Sequence, residues 1–214
     1  NKNVKACEIY SLVNLIKKIN KEEKYMVCCD SKKSAEFIWL ETGKKAKLIT
    51  SQEKLEGQKL DDFDKIIFSP AIIYGLDSVM KRTVFVYHKE HTINPTNMLQ
   101  QLARCRNIKM LYFTFQMKKF NKAKYNTLEE CKTINNELVK EGNKQFNVTD
   151  ENSIKRMNLF NRLYIDWIYK QDAYNTNKYV HFKILLEKRG FNVWSPHMET
   201  KKNDQLTMNE TVLM

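Results

Sequence analysis

The sequence predicts an α/β fold in which a mostly parallel sheet is sandwiched by helices and followed by a smaller, mainly helical appendix. Short apolar segments typical of strands alternate with segments of helical periodicity, the pattern of a parallel sheet with helices on both faces. The segment Tyr25 to Cys29 is apolar throughout, as expected of a strand that is buried on both sides. Beyond Lys118 the composition becomes rich in Lys, Asn and Glu, which marks the start of the helical part.

The elements of the first part follow one another in a regular order. Apolar residues recur at helical spacing from Ile9 to Ile19, with lysines on the opposite face. The elements predicted after this helix are a strand at 25–29, a helix at 34–42 that ends at Gly43, strands at 46–50, 63–68 and 83–87, a helix at 96–104 and a strand at 109–115. We therefore place the sheet domain at 1–118, with right-handed crossovers.

The second part, 119–214, is predicted to be a helical accessory region. A weak helical stripe crosses 120–145, and a stronger one crosses 154–169, where Phe160, Leu163, Tyr164 and Trp167 recur at three- and four-residue steps. A further helix at 177–188 precedes an extended segment at 191–194. We expect these aromatic residues to form the core of the region. The alternative is a stacking surface for single-stranded bases or a winged-helix-like reader.

Composition and charge favour an intracellular protein with a polyanionic partner. The 214 residues include 37 Lys and Arg against 25 Asp and Glu, a net charge of +12, which suits binding to nucleic-acid phosphates. An AT-rich coding sequence would also enrich Lys and Asn, so the charge alone leaves both origins open. No apolar run approaches the roughly 20 residues of a membrane span. We expect no membrane partner.

The cysteines and histidines show no pattern of a metal site. Five cysteines lie outside any C-x-x-C pair, and the four histidines are scattered. Cys28 and Cys29 are adjacent in a predicted strand and should therefore point to opposite faces of the sheet. We expect reduced thiols in a reducing, intracellular setting, and no metal.

Two short segments carry the strongest chemical signal. In the first, an apolar strand runs into Ser69 and then into a glycine turn closed by an acid, FSPAIIYGLD. In the second, QQLARCRN, Gln100, Arg104 and Arg106 lie within two helical turns and precede an apolar strand. Arginines that close on a nucleotide phosphate must be rigidly placed and permanently charged. The pair of segments therefore predicts a nucleotide-driven motor domain.

The first segment resembles motif V of superfamily 2 helicases, T-x-x-x-x-x-G-h-D. Ser69 takes the threonine position, Gly75 the glycine and Asp77 the acid, with the family spacing. Upstream, the segment Tyr25 to Ala35 is similar to motif IV, a strand followed by a polar turn and a helix start. Both begin where a predicted strand ends, and ligands of parallel sheets bind at the carboxyl ends of strands. We therefore expect the site at that edge of the sheet.

The second segment resembles motif VI, Q-x-x-G-R-x-x-R. Gln100 and Arg104 match, Ala103 replaces the glycine, and the final arginine comes one place early at Arg106. This R-x-R form is similar to the herpesvirus-type replication-origin-binding helicases and their relatives in large DNA viruses. The three motifs occur in the order of the second, C-terminal RecA-like lobe. The resemblance covers about the first half of the chain.

The resemblance implies a role at the nucleotide for one group of residues. Arg104 would neutralise charge on the transferred phosphoryl group, and Gln100 would sense the nucleotide across the cleft. Gly75 would let the backbone approach the nucleotide, and Asp77 would accept from the ribose or fix an arginine. Arg106 would either contact phosphate or pair with Asp77.

A second group would contact the nucleic acid. Ser69 would hold a phosphate of the tracked strand, and Ser31 and Lys32, at the motif IV turn, would make a further phosphate contact. Such contacts read the backbone and not the bases. The expected partner is single-stranded DNA.

A complete motor of this class also needs a G-x-x-x-x-G-K-[ST] loop and an acidic pair that holds magnesium. The nearest match, Thr42-Gly43-Lys44-Lys45, lacks the leading glycine and the metal-binding hydroxyl, and we predict that Gly43 ends a helix. Asp61 and Asp62 precede a strand instead of following one. We expect ATP and Mg²⁺ to be bound mainly by a missing first RecA-like lobe, and this chain to be inactive alone.

The function predicted is therefore the C-terminal motor lobe of an ATP-dependent superfamily 2 DNA helicase or translocase, in viral DNA replication in the cytoplasm or at a viral replication site. Two alternatives remain. A non-catalytic basic nucleic-acid-binding module would explain the charge and leave the Gln100 and Arg104 spacing unexplained. An unrelated doubly wound nucleotide or cofactor domain would be expected to carry a G-x-G-x-x-G after its first strand, which this sequence lacks.

Overall fold

The computed structural model describes residues 3–70, 76–89, 93–116, 121–145 and 150–195. The chain divides into two compact units. The first unit comprises the chain up to Lys118 together with the residues from Tyr179 onward, and it contains the sheet. The second unit, Lys119–Lys178, contains a pair of helices.

The first unit is built on a seven-stranded sheet. Its strands are β1 (Lys5–Glu8), β2 (Tyr25–Cys29), β3 (Lys47–Ile49), β4 (Lys65–Phe68), β5 (Ser78–His88), β6 (Cys105–Phe115) and β7 (Asn192–Trp194). Their spatial order is β3-β4-β2-β5-β6-β1-β7, and every pairing between these described strands is parallel. The predicted parallel sheet is confirmed. The strands β5 and β6, with 11 residues each, are the longest of the seven.

Helices cover the sheet on both faces. The helices of the first unit are α1 (Leu12–Ile19), α2 (Lys32–Glu41), α3 (Pro95–Leu102) and α6 (Lys178–Lys188), the last assigned from Tyr179 onward; those of the second unit are α4 (Leu128–Gln145) and α5 (Glu151–Thr176). Two buried apolar clusters lie on opposite faces, because successive residues of a strand alternate sides. Cys28 belongs to one cluster and Cys29 to the other, as predicted.

The last helix and strand pack with the sheet, which differs from the sequence-based division that grouped 119–214 together. Phe182 and Leu186 of α6 are buried in the same cluster as Phe113 of β6, and β7 pairs with β1. The strand β1 was not predicted, because its four residues, Lys5–Glu8, form no apolar run. Without β1, nothing in the sequence pointed to a place for β7 in the sheet.

A polar cluster also fastens α6 to the sheet. The Tyr179 hydroxyl donates to the buried carboxylate of Glu8 at 2.7 Å, at the carboxyl end of β1. The Lys183 ammonium donates to Ser195 Oγ at 2.9 Å and lies 4.0 Å from the same carboxylate. Burial and the neighbouring Glu8 carboxylate raise the pKa of Tyr179, so the phenol remains a donor.

The second unit is a helical pair with a small core. Tyr125, Cys131 and Ile165 form its buried centre. The Asp172 carboxylate accepts from the backbone N–H groups of Lys124 and Tyr125 at 2.7 and 3.0 Å, which fixes the entry to α4 against α5. Two helices can bury only one face of each other.

Four residues of the predicted apolar stripe of α5 are therefore not core, contrary to the prediction, whereas Ile168 and Tyr169 pack against the buried centre. Phe160, Leu163, Tyr164 and Trp167 are exposed, because α4 covers only the face of α5 that carries Ile165. The helical periodicity was read correctly. The sequence analysis overestimated the number of helices that pack against the apolar residues of α5.

All five cysteines are free thiols, and four of them are buried. Burial raises the pKa of Cys28 and of Cys29 well above the ordinary value, so neither is a reactive thiolate. In the described ranges, no helix is long and apolar enough to cross a membrane. The same ranges contain no group of three or more His, Cys, Asp or Glu side chains placed to hold a metal ion.

The packing of α6 gives a stability prediction. Phe182→Ala should lower the free energy of unfolding by about 3–5 kcal/mol, because it removes a fully buried aromatic side chain from the sheet core. Ile184→Ala, on the exposed side of the same helix, should cost far less. Urea unfolding of both variants measures the difference; equal losses would contradict the placement of α6 on the sheet.

Candidate functional site

The predicted site residues lie in two groups at opposite edges of the sheet. Ser31 and Lys32 follow β2, and Ser69 follows β4, so these three lie at carboxyl ends. Asp77 directly precedes β5 and Arg104 directly precedes β6, so they lie at the amino ends.

We expected motifs IV and V at the carboxyl ends of strands; Ser31, Lys32 and Ser69 lie there, whereas Asp77, the last residue of motif V, lies at an amino end. The segment after β4 and the helix α3 both lead from the carboxyl edge back to the amino edge, because the next strand of a parallel sheet must start there. Asp77 and Arg104 come at the ends of these return segments. Gly75 lies outside the described residues.

At the amino edge, two arginines converge on one carboxylate. Arg104 Nη1 donates to Asp77 Oδ1 at 3.1 Å. Arg106 donates to Asp77 Oδ2 from Nη2 at 2.5 Å and from Nε at 3.0 Å. Each carboxylate oxygen therefore serves one guanidinium, and the three side chains form a single cluster, which we call the Asp77 cluster.

The two arginines are held very differently. Arg104 also donates from Nε to the carbonyl of Gln100 at 3.2 Å and from Nη1 to the carbonyl of Leu76 at 3.3 Å. Its side chain is 15% exposed, whereas that of Arg106 is 57% exposed. The Arg106 pair is a surface ion pair of small energy, about 0–1 kcal/mol. Arg104 is thus fixed by its own backbone surroundings and Arg106 mainly by Asp77.

Two neighbouring glutamines of α3 have distinct roles. The side-chain oxygen of Gln100 is buried and finds no hydrogen-bond partner among the described residues. Gln101, which sequence analysis did not single out, is fully buried, and its Nε2 donates to the carbonyl of Cys29 at 3.0 Å. Gln101 therefore fixes α3 to the carboxyl end of β2, although its own side-chain oxygen, like that of Gln100, is buried without a partner among the described residues.

A buried arginine that sequence analysis also missed supports the start of β5. Arg82 has no exposed surface, yet it carries a full charge. Its Nη1 donates to Asp61 Oδ1 at 3.1 Å and to the Ser78 hydroxyl, and its Nη2 donates to the carbonyls of Leu60, at 3.0 Å, and Phe63. The 3₁₀ turn Leu60–Asp62 is thereby tied to β5.

The acceptor in this network also holds the backbone of β5. Asp61 accepts from the Ser78 hydroxyl at 2.5 Å and from the N–H groups of Val79 and Met80 at 3.0 and 3.3 Å. Burial alone would raise the pKa of Asp61, but these hydrogen bonds and Arg82 lower it to about 2. Asp61 is therefore ionised at neutral pH and fixes the first residues after Asp77.

At the carboxyl edge, the motif IV turn is accessible and ordered. Ser31 caps α2, its Oγ accepting from the N–H of Ser34 at 3.1 Å and donating to Ser34 Oγ at 2.8 Å. The Lys32 ammonium donates to Gln52 and lies 3.5 Å from Glu36. The turn thus presents a cation at a helix N-terminus, a place that favours anions.

Ser69 is placed at the same edge but is shielded. It directly follows β4, its N–H donates to the carbonyl of Ile49 at 3.0 Å, and the residue is only 3% exposed. A phosphate contact by its hydroxyl requires Ser69 to become more exposed than it is here. The structure thus brings Ser31 and Lys32 to the surface and holds Ser69 beneath it.

The segment with a partial phosphate-loop pattern ends a helix, as predicted. Helix α2 stops at Glu41, and Gly43 follows with φ +72°, in the left-handed region that favours glycine. The N–H of Gly43 donates to the carbonyl of Leu40 at 2.9 Å, as in a helix C-terminus. This segment is a helix end and forms no phosphate cradle.

Comparison with known proteins gives distant structural matches. No protein-family model matches the chain, and no curated protein matches its sequence significantly. Among solved structures, S. cerevisiae Dbp5 bound to RNA and ADP BeF3 aligns over 55% of this chain and 36% of its own length, with 10% identity and a TM-score of 0.38. The C-terminal domain of the DEAD-box protein Dbp5 aligns over 55% of this chain and 78% of its own, with 12% identity and a TM-score of 0.34.

The lowered pKa of Asp61 gives a pH prediction. A carboxylate whose pKa is lower in the folded state than in the unfolded state adds stability that is complete above the ordinary aspartate pKa of 3.8 and is lost as the pH falls towards about 2. Asp61→Asn should therefore lower the free energy of unfolding at pH 7 by about 3 kcal/mol, since it leaves Arg82 without its counter-charge.

The test is urea unfolding between about pH 7 and pH 2, with the exposed Asp64→Asn as the matched control. The difference between Asp61→Asn and the parent should narrow as the pH falls from 3.8 to about 2, because the parent carboxylate becomes protonated over that range. A difference that stayed constant over this range would contradict the assignment.

Proposed function

We propose that the first unit is the second, C-terminal RecA-like motor lobe of a superfamily 2 helicase or translocase that uses ATP to move along nucleic acid. The observation that carries this proposal is the Asp77 cluster. Its three residues come from the two segments that resemble motifs V and VI. Arg104 and Arg106 lie 27 and 29 positions after Asp77 in the sequence. The parallel sheet brings them together at one edge, as a shared site requires.

The geometry of Arg104 suits a residue that acts on a nucleotide held by another lobe. Two backbone carbonyls hold its guanidinium, so it keeps its position when Asp77 is displaced. A phosphoryl group that approaches on lobe closure would replace the carboxylate as the acceptor, with little rearrangement of the arginine. Such preorganisation stabilises charge that develops in the transition state.

Arg106 and Asp77 would act as the adjustable part of the cluster. The Arg106 guanidinium is largely in water and bound to Asp77 by a forked contact. On closure it would either stay with Asp77, leaving Asp77 to orient Arg104, or move to phosphate. The side-chain oxygen of Gln100 is buried and has no partner among the described residues, so it would couple nucleotide binding to the position of α3.

The carboxyl edge would grip the nucleic-acid strand. Lys32 and the N-terminus of α2, capped by Ser31, offer a cation and backbone donors to one phosphate. Ser69, which is buried at the same edge, would add a second contact if it became exposed. The contacts are to the backbone, so binding should depend steeply on salt and little on sequence.

The finer assignments belong to the same proposal. ATP and Mg²⁺ would be held mainly by a first RecA-like lobe, because this sequence contains no G-x-x-x-x-G-K-[ST] loop. Single-stranded DNA is the proposed track, and viral DNA replication, through an origin-binding type of helicase, is the proposed setting. The R-x-R spacing of Arg104 and Arg106 supports this last choice.

A second candidate function is a basic nucleic-acid-binding module without a motor. The net charge of +12 and the exposed turn at Lys32 favour it. It would make the Asp77 cluster a static structural ion pair. The two functions differ in whether Arg104 affects ATP hydrolysis.

The decisive prediction concerns a protein in which this lobe is joined to a phosphate-loop lobe. Arg104→Ala should lower DNA-stimulated ATP hydrolysis by on the order of a thousandfold and leave ATP binding nearly unchanged, because the arginine is presented only on closure. Steady-state hydrolysis and equilibrium nucleotide binding measure the two effects. Arg189→Ala, an exposed arginine of the same unit, is the control. Hydrolysis at the parental rate in Arg104→Ala would contradict the motor assignment.

A companion prediction concerns the 214-residue chain by itself. It should hydrolyse no ATP above background, with or without single-stranded DNA, because it lacks the phosphate loop and the magnesium-binding acids. A phosphate-release assay on repurified protein makes the measurement. Turnover that persisted on repurification and disappeared in Arg104→Ala would show a complete site within these residues.

A further inference from the structure

The helix pair of the second unit has a polar side. The two helices pack antiparallel, since the Cys131 thiol donates to the carbonyl of Ile165 at 3.9 Å and Asn161 Nδ2 donates to Asn136 Oδ1 at 2.9 Å. On one side a groove of about 370 Å³ opens between them, and five of its six lining residues are polar: Lys132, Asn136, Asn158, Asn161, Arg162 and Ile165. Water is the natural occupant of this side.

The opposite side of α4 is apolar. Successive residues of a helix are turned by about 100°, so Ile134 and Leu138 lie across α4 from Lys132 and Asn136, which line the groove. Ile134 is 39% exposed and Leu138 is 60% exposed. Both side chains therefore extend the apolar surface of the pair away from the groove.

Helix α5 continues this apolar side. By the same geometry, Phe160 and Tyr164 lie across α5 from Asn158 and Arg162. The Phe160 and Tyr164 ring centroids are 6.0 Å apart with planes at 11°, and those of Tyr164 and Trp167 are 5.9 Å apart with planes at 19°. The three rings support one another and form a continuous apolar row on the helix.

The exposed large apolar residues of α4 and α5 together form what we call the apolar face. Its seven members are between 39% and 69% exposed: Ile134, Leu138, Leu159, Phe160, Leu163, Tyr164 and Trp167. An aromatic side chain buries about 150–250 Å² when fully covered, so the seven together leave roughly 600 Å² uncovered. A contiguous apolar patch of this size marks a binding surface.

The composition of the apolar face is that of a protein interface. The cores of such interfaces are rich in aromatic residues and poor in charge. Three of the seven residues are aromatic and none is charged. The cations Lys132 and Arg162 line the groove on the other side of the pair, so a polyanion on the apolar face would lie away from them.

A second copy of the same helix pair matches this face in geometry and in area. Two helices cover only one face of each other, whereas two pairs joined through their apolar faces form a four-helix bundle around one core. A two-fold axis brings identical surfaces together, so an apolar face meets an apolar face. The contact would bury roughly 1,200 Å², twice the area of one face and enough for a stable interface.

We propose that this chain forms a homodimer through the apolar face, with α4 and α5 of both copies in a four-helix bundle. The face lies in the second unit. The proposal therefore does not depend on the motor assignment of the first unit.

The experiment is sedimentation velocity of the full 214-residue chain. Between about 1 and 100 µM the parent should pass from monomer to dimer. Leu163→Glu should abolish the dimer, because it places a charge within the apolar face. Asn158→Glu puts the same charge on the groove side of the same helix and should associate as the parent does.

Truncation of the rings measures their share of the contact. Phe160→Ala and Trp167→Ala should each raise the dissociation constant of the dimer by about tenfold or more, since large aromatic residues dominate interface energies. Trp194→Ala removes a Trp of similar exposure, 59%, from the first unit and should leave the constant unchanged.

Tryptophan quenching tests the location of the contact independently. In Trp194→Phe the remaining tryptophans are Trp39 and Trp167, and Trp167 is 54% exposed. Quenching of its fluorescence by iodide should therefore fall as the protein concentration rises and the dimer forms. In Leu163→Glu combined with Trp194→Phe, quenching should be the same at all concentrations.

Three results would overturn the proposal. The first is a parent chain that stays monomeric over the whole range. The second is a dimer whose dissociation constant is parental in Leu163→Glu, Phe160→Ala and Trp167→Ala, with helix content unchanged by circular dichroism. The third is a monomer that binds phosphatidylcholine–phosphatidylserine vesicles and loses this binding in the same variants, which would make the apolar face a membrane-surface contact.

Discussion

A guanidinium with no exposed surface fixes the part of the sheet on which the Asp77 cluster depends. Burying the charge of Arg82 is tolerable only if it is paired and its donors are satisfied. Asp61, Ser78 and two backbone carbonyls satisfy its Nη1 and Nη2 groups, while its buried Nε has no partner among the described residues, so the 3₁₀ turn before β4 must remain against β5. That turn in turn holds Ser78, directly after Asp77. The local order of the Asp77 cluster thus depends on the need to compensate the desolvation of Arg82, which lies several residues away in the sequence.

The cluster itself is built for exchange of partners more than for stability. Arg104 is held by carbonyls, whereas Asp77 and Arg106 meet in water, where ion pairs contribute little. A cluster of this kind can trade one anion for another at small cost. The register shifts between β5 and β6, on both sides of Arg82, fit this view, since bulges often lie beside functional sites and re-aim side chains.

Sequence reasoning found the elements whose signal is local and missed those defined by distant contacts. The strand at Tyr25–Cys29 and the helix end at Gly43 were predicted, because continuous apolarity and a terminal glycine are visible in a few residues. The four-residue β1 has no such signal. In the sequence, Arg82 lies beside a lysine in a basic chain and resembles a solvent-exposed residue. Only its ion pair with Asp61, which is distant in the sequence, shows that it is buried. The place of Asp77 at an amino end was missed for the same reason, since the motif spacing carries no information on which end of a strand a residue occupies.

The separation of the two site groups limits how a motor could work here. The Asp77 cluster precedes β5 and β6, whereas the turn at Lys32 follows β2, so the two groups are carried by different strand ends. The direct mechanical link is β5, which begins after Asp77 and pairs along its second half with β2, the strand that ends at the motif IV turn. A parallel strand buried on both faces is too densely packed to deform continuously. A change of partner at Asp77 would therefore move the lobe as a body, which is what a lobe that grips a strand at one edge and closes on a nucleotide at the other requires.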